Sequence, residues 1–335
     1  MNTKRAVLPA EWEPQSGVML TWPHAETDWA PYLDEICETY LQMAEAIARR
    51  ERLLVVTPHA EETGAMLNGR LGKQMMQNVC IVELPTNDTW TRDHGFVTLR
   101  NADGTPLLLN FCFNGWGEKF EANLDNAINA KLFNRLPFHR NSQYEDHLNF
   151  VLEGGSIESD GEGTIFTTRC CLLAPHRNQP LNEAEIEKEL KSRLHAKRII
   201  WLDSEPMLGD DTDGHIDTIV RIAPDNTLLY NKDKQLMEQL KGLRALEGQP
   251  YRLLELPLPS PIYDEDGEQL PATYANFLIL NGAVLVPTYN QPGNDAKAIS
   301  IIQSAFTDRE MVPIDSRSII KQHGSIHCCT MQYPK

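Results

Sequence analysis

Four short segments of this chain start on a polar residue, run into an apolar strand-like stretch, and recur about every 60 residues. They are Asp93-His94-Gly95-Phe96-Val97-Thr98-Leu99, Glu153-Gly154-Gly155-Ser156-Ile157, His215-Ile216-Asp217-Thr218-Ile219-Val220-Arg221 and Asn276-Phe277-Leu278-Ile279-Leu280. A polar turn follows each: Ala102-Asp103-Gly104, Asp160-Gly161-Glu162-Gly163, Pro224-Asp225-Asn226 and Asn281-Gly282. A second apolar run comes next, which makes each segment a hairpin, and Asn281-Gly282 is the strongest of the four turn signals. A helical stretch and another buried strand usually complete the unit, strand-strand-helix-strand. The two ends of the chain supply a fifth copy, Gly17-Val18-Met19-Leu20-Thr21-Trp22 with Ile326-His327-Cys328-Cys329-Thr330-Met331. Repeats of this length predict an α/β protein whose modules are set around an axis, so that equivalent strand starts converge on one mouth. Hairpins that align by chance are the plain alternative. The starts carry Asp, Glu, His and Cys, which points to chemistry rather than packing.

Residues 52–57, 78–84, 197–202 and 251–256 read as short buried strands, and 32–50, 183–195 and 296–306 carry apolar residues at helical spacing. The Pro-rich connector 256–271, with Asp264-Glu265-Asp266 at its centre, reads as a functional rim or lid rather than a domain linker. A length of 335 residues admits one elaborate domain or two ordinary ones.

Composition narrows the function classes. With 41% hydrophobic and 23% charged residues, the chain has the make-up of an ordinary globular protein, and no apolar run approaches the roughly 18 to 20 residues that span a membrane. The start, Met1 to Pro9, has its apolar stretch cut by Pro9 and does not read as a signal peptide, so a cytoplasmic location is expected. Seven cysteines without framework spacing argue against a disulfide scaffold. The net charge of −16 opposes nucleic acid as a partner and favours a cationic ligand.

Cys328 and Cys329 are adjacent, and on a strand only one of them could face a site. The residues alone do not choose between them. His215 and Asp217 would share one face of a strand, as a catalytic acid/base beside a cation-holding carboxylate, as a structural pair, or as metal ligands. Asp211-Thr212-Asp213-Gly214 fails the register of a calcium loop. Trp90-Thr91-Arg92-Asp93-His94-Gly95 and Glu153-Gly154-Gly155 are weak motifs singly. Together these positions supply three carboxylates, an imidazole and a thiol. That set suits a guanidinium, whose in-plane N–H groups match carboxylates. Its delocalised carbon calls for a thiolate nucleophile, while expelling ammonia calls for an acid that later serves as a base. Carboxylates near a thiol oppose its ionisation, so a bound guanidinium would assist it.

At these residues the chain resembles the agmatine deiminase family, which includes the Porphyromonas-type peptidylarginine deiminases. The resemblance rests on Trp22-Pro23-His24, Asp88-Thr89-Trp90-Thr91-Arg92-Asp93-His94-Gly95, Phe113-Asn114-Gly115-Trp116-Gly117, Glu153-Gly154-Gly155, Asp211-Thr212-Asp213-Gly214-His215-Ile216-Asp217 and Ile326-His327-Cys328-x-Thr330, in family order over nearly the full length. It implies the pentein fold, a five-bladed α/β propeller, as a single catalytic domain over 1–335. It implies Cys328 as the nucleophile, His215 as acid/base with Glu153 beside it, and Asp93 and Asp217 on the guanidinium nitrogens. Trp90, Trp116 and Asp211 fall to substrate binding, Asp211 toward a distal amine. The implied reaction takes agmatine to N-carbamoylputrescine and ammonia through a thiouronium on Cys328, in putrescine biosynthesis, with no metal or cofactor and with a homodimer as one assembly open to it.

Two departures stand out. Gln322-His323-Gly324-Ser325 replaces the usual Gly-Gly-Gly-Asn before the nucleophile, and Phe96 replaces a proline. Peptidyl-arginine, free arginine and methylated arginine are rival substrates. A non-catalytic binding protein and a metal hydrolase built on His215 and Asp217 are rival classes, the latter lacking further histidines at ligand spacing.

Overall fold

In the computed structural model, residues 6–138, 141–204 and 206–335 are described, so the reading placed on Met1 to Arg5 lies outside the described residues. The strands fall into five separate mixed sheets. The first contains β1 (Gln15–Thr21), β2 (Arg52–Thr57) and β3 (Val79–Glu83). Three-stranded sheets follow in chain order: β4 (Val97–Arg100), β5 (Pro106–Cys112), β6 (Gln143–Val151); then β7 (Glu158–Ser159), β8 (Thr164–Thr168), β9 (Arg198–Leu202). Next come β10 (Val220–Ala223), β11 (Thr227–Asn231), β12 (Arg252–Leu256) and β13 (Leu278–Leu280), β14 (Ala283–Thr288), β15 (Glu310–Asp315). The last strand, β16 (Thr330–Pro334), pairs antiparallel with β1, so the chain ends complete the first sheet.

Every sheet repeats one pattern, an antiparallel pair followed by a parallel one. Parallel neighbours cannot be joined by a tight turn, so helices fill the crossovers. These are α1 (Leu33–Ala48), α2 (Ala60–Met75), α3 (Glu183–Arg193), α4 (Lys234–Gly242) and α5 (Pro292–Ala305). Between β5 and β6 the described residues form short helical turns, such as Asn123–Asn126 and Ile128–Leu132. In α1 the fully buried Ile36, Tyr40, Met43 and Ile47 form one stripe, each contributing about 1.5–3 kcal/mol of burial. A capping box of Asn182 and Glu185 starts α3, and Pro292 sets the start of α5. Among the described residues no helix is long and apolar enough to cross a membrane.

The strand starts differ from the expected form. Thr91–His94 is one helical turn, and Gly154–Ser156 and Ile216–Thr218 are 3-10 turns lying just ahead of the first strand of their modules. His215 therefore caps a turn and Asp217 lies within it, instead of the two sharing a strand face. The ladder of β10 begins only at Val220, opposite Tyr230. Ahead of it the backbone closes its own bonds, from Thr218 N to His215 O and from Ile219 N to Ile216 O. Cys328 likewise lies in a turn before β16.

Candidate active site

The polar residues ahead of each module meet. The Asp93 carboxylate accepts from the Gly155 backbone N–H at 3.0 Å through Oδ1 and from Trp116 Nε1 at 2.9 Å through Oδ2. His215 Nδ1 lies 3.7 Å from Asp93 Oδ1. Glu153, Cys171 and His215 bring ligand-type atoms within 4.8 Å of one another. The Cys328 Sγ sits 3.8 Å from Asp217 Oδ2 and 3.4 Å from Asn276 Oδ1. Gly155 explains itself here: a Cβ would lie 2.6 Å from His215 Nδ1, 3.0 Å from Asp93 Oδ1 and 3.1 Å from Asp217 Oδ2. The Gly-Gly pair is thus a space requirement of the site, not only a turn.

Among the described residues, both ring nitrogens of His215, Glu153 Oε2 and Asp217 Oδ1 are buried without a hydrogen-bond partner. Buried polar atoms are normally satisfied, so this set is arranged for something that is not protein. Burial pushes the Cys328 thiol well above its usual range, and Asp217 and Asp93 push it further. Burial likewise raises Asp93, against the pull of His215. Asp217 is also buried, yet the hydrogen bond and charge of His327, with His215 and Arg221, hold its carboxyl below the usual value. Cys329 turns away, onto the Tyr40 hydroxyl of α1.

A cavity of about 230 Å³ leads to Cys328. Trp90, Trp116 and Phe120 line it, with five carboxylates, Asp28, Asp88, Asp93, Asp210 and Asp211. His323 is the only basic residue in the described lining. Asp88 holds Trp29 and Trp90 by their indole N–H groups, and Asp210 caps Thr212 and Gly214. Asp211 is half-exposed at the mouth, 3.8 Å from His323 Nδ1. Gly324 packs so tightly on Trp90 that any side chain there would overlap the indole ring. The connector 256–271 does not line this cavity; Leu258, Pro259 and Pro271 instead share a second cavity with Met207 and Leu208, behind the 209–214 wall.

Sequence reasoning assigned no role to four residues. Asn276 Oδ1 accepts from the backbone N–H of His327 at 3.0 Å and of Cys328 at 3.2 Å, and it stands at the fourth position of the period. Arg177, with almost no exposure, ion-pairs Glu153 at 2.8 Å and Asp213 at 2.7 Å. His327 bonds Asp217, and Glu11 bonds His327. Among the described residues three clusters could present metal ligands: His24/Glu26/His59, Glu153/Cys171/His215 and Glu11/Glu158/His327. In each, a carboxylate is already ion-paired, to histidine in the first and arginine in the others.

A statistical model of the Porphyromonas-type peptidyl-arginine deiminase family matches residues 7–334. A solved chain from Porphyromonas gingivalis, provisionally named an arginine deiminase, is 47% identical with a TM-score of 0.91, over 99% of each chain. A substrate-bound cysteine-to-serine variant of C. jejuni agmatine deiminase is 35% identical with a TM-score of 0.87, covering 98% of this chain and 96% of that one. Agmatine deiminase of Pseudomonas putida is 33% identical over 98% of this chain and 95% of its own.

Proposed function

Because the chain belongs to the Porphyromonas-type peptidyl-arginine deiminase family, we propose that it is an agmatine deiminase, a hydrolase that cleaves a guanidino C–N bond to give N-carbamoylputrescine and ammonia, a step toward putrescine. One arrangement carries this reading: Cys328 and Asp93 line one acidic cavity, Asp217 lies beside the Cys328 sulfur, and the buried His215 ring stands beside Asp93. In it, Asp93 and Asp217 accept the in-plane N–H groups of the guanidinium. Cys328 releases its proton to solvent as the cation binds, and the thiolate adds to the central carbon from above that plane. His215 gives its proton to departing ammonia, leaving a thiouronium, and then takes a proton from the water that releases the ureido product. Glu153, fixed by Arg177, sits beside His215. Trp90 and Trp116 line the path of the aliphatic stem, and Asp211 receives the distal ammonium. The five sheets are read as the blades of one pentein propeller that forms a single catalytic domain over 1–335.

Free arginine is the second reading, favoured by the name given to the 47% identical relative. Its α-carboxylate would need a cation, and the described lining offers carboxylates and His323. The deciding experiment scores ureido product from agmatine, arginine and a peptidyl-arginine with wild type and Cys328→Ala. Agmatine turnover that is lost in Cys328→Ala is expected. Preference for arginine, or full turnover by Cys328→Ala, would overturn the proposal.

A further inference from the structure

His327 is fully buried, and each of its ring nitrogens meets a carboxylate: Nδ1 lies 2.7 Å from Asp217 Oδ2, and Nε2 lies 2.8 and 3.0 Å from the two oxygens of Glu11. A carboxylate oxygen accepts and does not donate, so the ring donates on both sides. Glu11 belongs to the segment that enters β1, and it is clamped in turn. Arg92 Nη1 reaches its Oε1 at 3.0 Å, while Arg221 Nη2 and Gln332 Nε2 reach its Oε2 at 2.6 and 3.1 Å. Glu158 closes the cluster through Arg221, and Arg92 Nε also donates to the His327 carbonyl at 3.4 Å.

We propose that Glu11, acting through His327, is a positioning residue for Asp217. The bond from His327 occupies Oδ2, the oxygen that faces the Cys328 sulfur, and leaves Oδ1 as the unpartnered acceptor. The imidazole therefore fixes the rotation of the carboxylate and sets which oxygen the substrate meets. It also offsets the negative charge beside the thiol. Neither Glu11 nor His327 lines the substrate cavity, and Asp217 contacts both the His327 ring and the Cys328 sulfur. This inference rests on the deiminase reading for Asp217, but its test does not depend on the substrate.

An asparagine can place its amide nitrogen where Nδ1 stood, and a glutamine where Nε2 stood. His327→Asn therefore keeps the bond to Asp217 and drops Glu11, whereas His327→Gln keeps Glu11 and drops Asp217. Two readouts are taken with full-length protein: kcat and KM on agmatine, and the substrate-free rate of Cys328 alkylation by iodoacetamide, located by mass spectrometry. Displacing a binding carboxylate by about 1 Å costs on the order of 100-fold. His327→Gln is expected to lose about that factor in kcat and to alkylate more slowly than wild type at every pH. His327→Asn should stay within about tenfold in both, and Glu11→Gln should fall between them. A purely structural role would lower melting temperature in all three and affect the two histidine variants alike. Equal impairment of His327→Asn and His327→Gln, or wild-type behaviour of Glu11→Gln, overturns the proposal. If wild type does not turn over agmatine, the deiminase reading fails, and the alkylation rates alone still decide the relay.

Discussion

Asn276 holds the nucleophile's turn, and two substitutions separate what its amide oxygen does. In Asn276→Ala the His327 N–H keeps a second acceptor, the backbone oxygen of residue 276 at 3.2 Å, but the Cys328 N–H loses its acceptor inside a fully buried site. One orphaned buried donor costs about 1–3 kcal/mol, and the void left by the side chain brings the total to about 2–4 kcal/mol. Asn276→Asp keeps an acceptor in place but sets a charge where the oxygen now lies 3.4 Å from Sγ. At an effective dielectric near 20 that charge opposes thiolate by about 3–5 kcal/mol, or about two to four orders of magnitude in thiolate population. Thermal unfolding and Cys328 alkylation read the two effects separately. The alanine variant should melt lower, while the aspartate variant should stay closer to wild type in stability and react at least about 100-fold more slowly. Wild-type melting in Asn276→Ala, or wild-type alkylation in Asn276→Asp, would refute the reasoning.

The same geometry sets three further outcomes. Cys329→Ser should keep agmatine turnover within about threefold, since its sulfur faces Tyr40, while Cys328→Ser should lose about 1000-fold or more; ureido-product assays compare the two. Arg177→Met leaves Glu153 buried and uncompensated, and it should lower unfolding free energy by about 3–5 kcal/mol in denaturant titration. Burial pushes the Glu51 carboxyl up to about 7, so the folded state holds a proton that the unfolded state releases. Stability therefore falls as pH rises through the interval between the unfolded value and about 7. Glu51→Gln should lose about 3 kcal/mol less than wild type between pH 4 and pH 8, measured by melts across that range.

The fold was legible where the pattern was local and repeated. Hairpins such as Leu278–Leu280 with Ala283–Thr288 announce themselves by continuous apolar runs on either side of Asn281-Gly282, and α1 by its buried stripe. The module entrances obey the pattern less well. His215 and Asp217 were expected on a strand because the segment looks apolar, but a strand exists only where a partner's ladder reaches it, and that is a tertiary fact. The period marked Asn276 without saying what an asparagine there would do. Arg177 and Glu11 carry no local signal at all. Their importance comes from contacts across 24 and 316 residues, which spacing along the chain does not encode. The placement of Cys328 toward the cavity and Cys329 toward Tyr40 likewise comes from the turn before β16, which strand alternation could not have told.

The charge inventory of the empty site leads to one last expectation. Around the sulfur stand two acceptors, Asp217 Oδ2 and Asn276 Oδ1, and a thiol can donate to one of them while a thiolate can donate to neither. Arg177 is spent on Glu153 and Asp213, and the His327 ring lies between two carboxylates. Before a cation arrives, burial with Asp217 and Asp93 therefore outweighs the one contact that favours the thiolate, from the Ser325 backbone, and the thiol is raised. A guanidinium on Asp93 and Asp217 would reverse that balance in the complex alone. In free enzyme, iodoacetamide should then modify Cys328 about tenfold faster for each pH unit between 7 and 9, since a thiol titrating well above 9 gains thiolate in that proportion. Turnover at saturating agmatine should show no such rise, because the bound cation has already supplied the ionisation. Alkylation that levels off near pH 7 would mean that the protein ionises its cysteine unaided, and substrate-assisted attack would have to be abandoned.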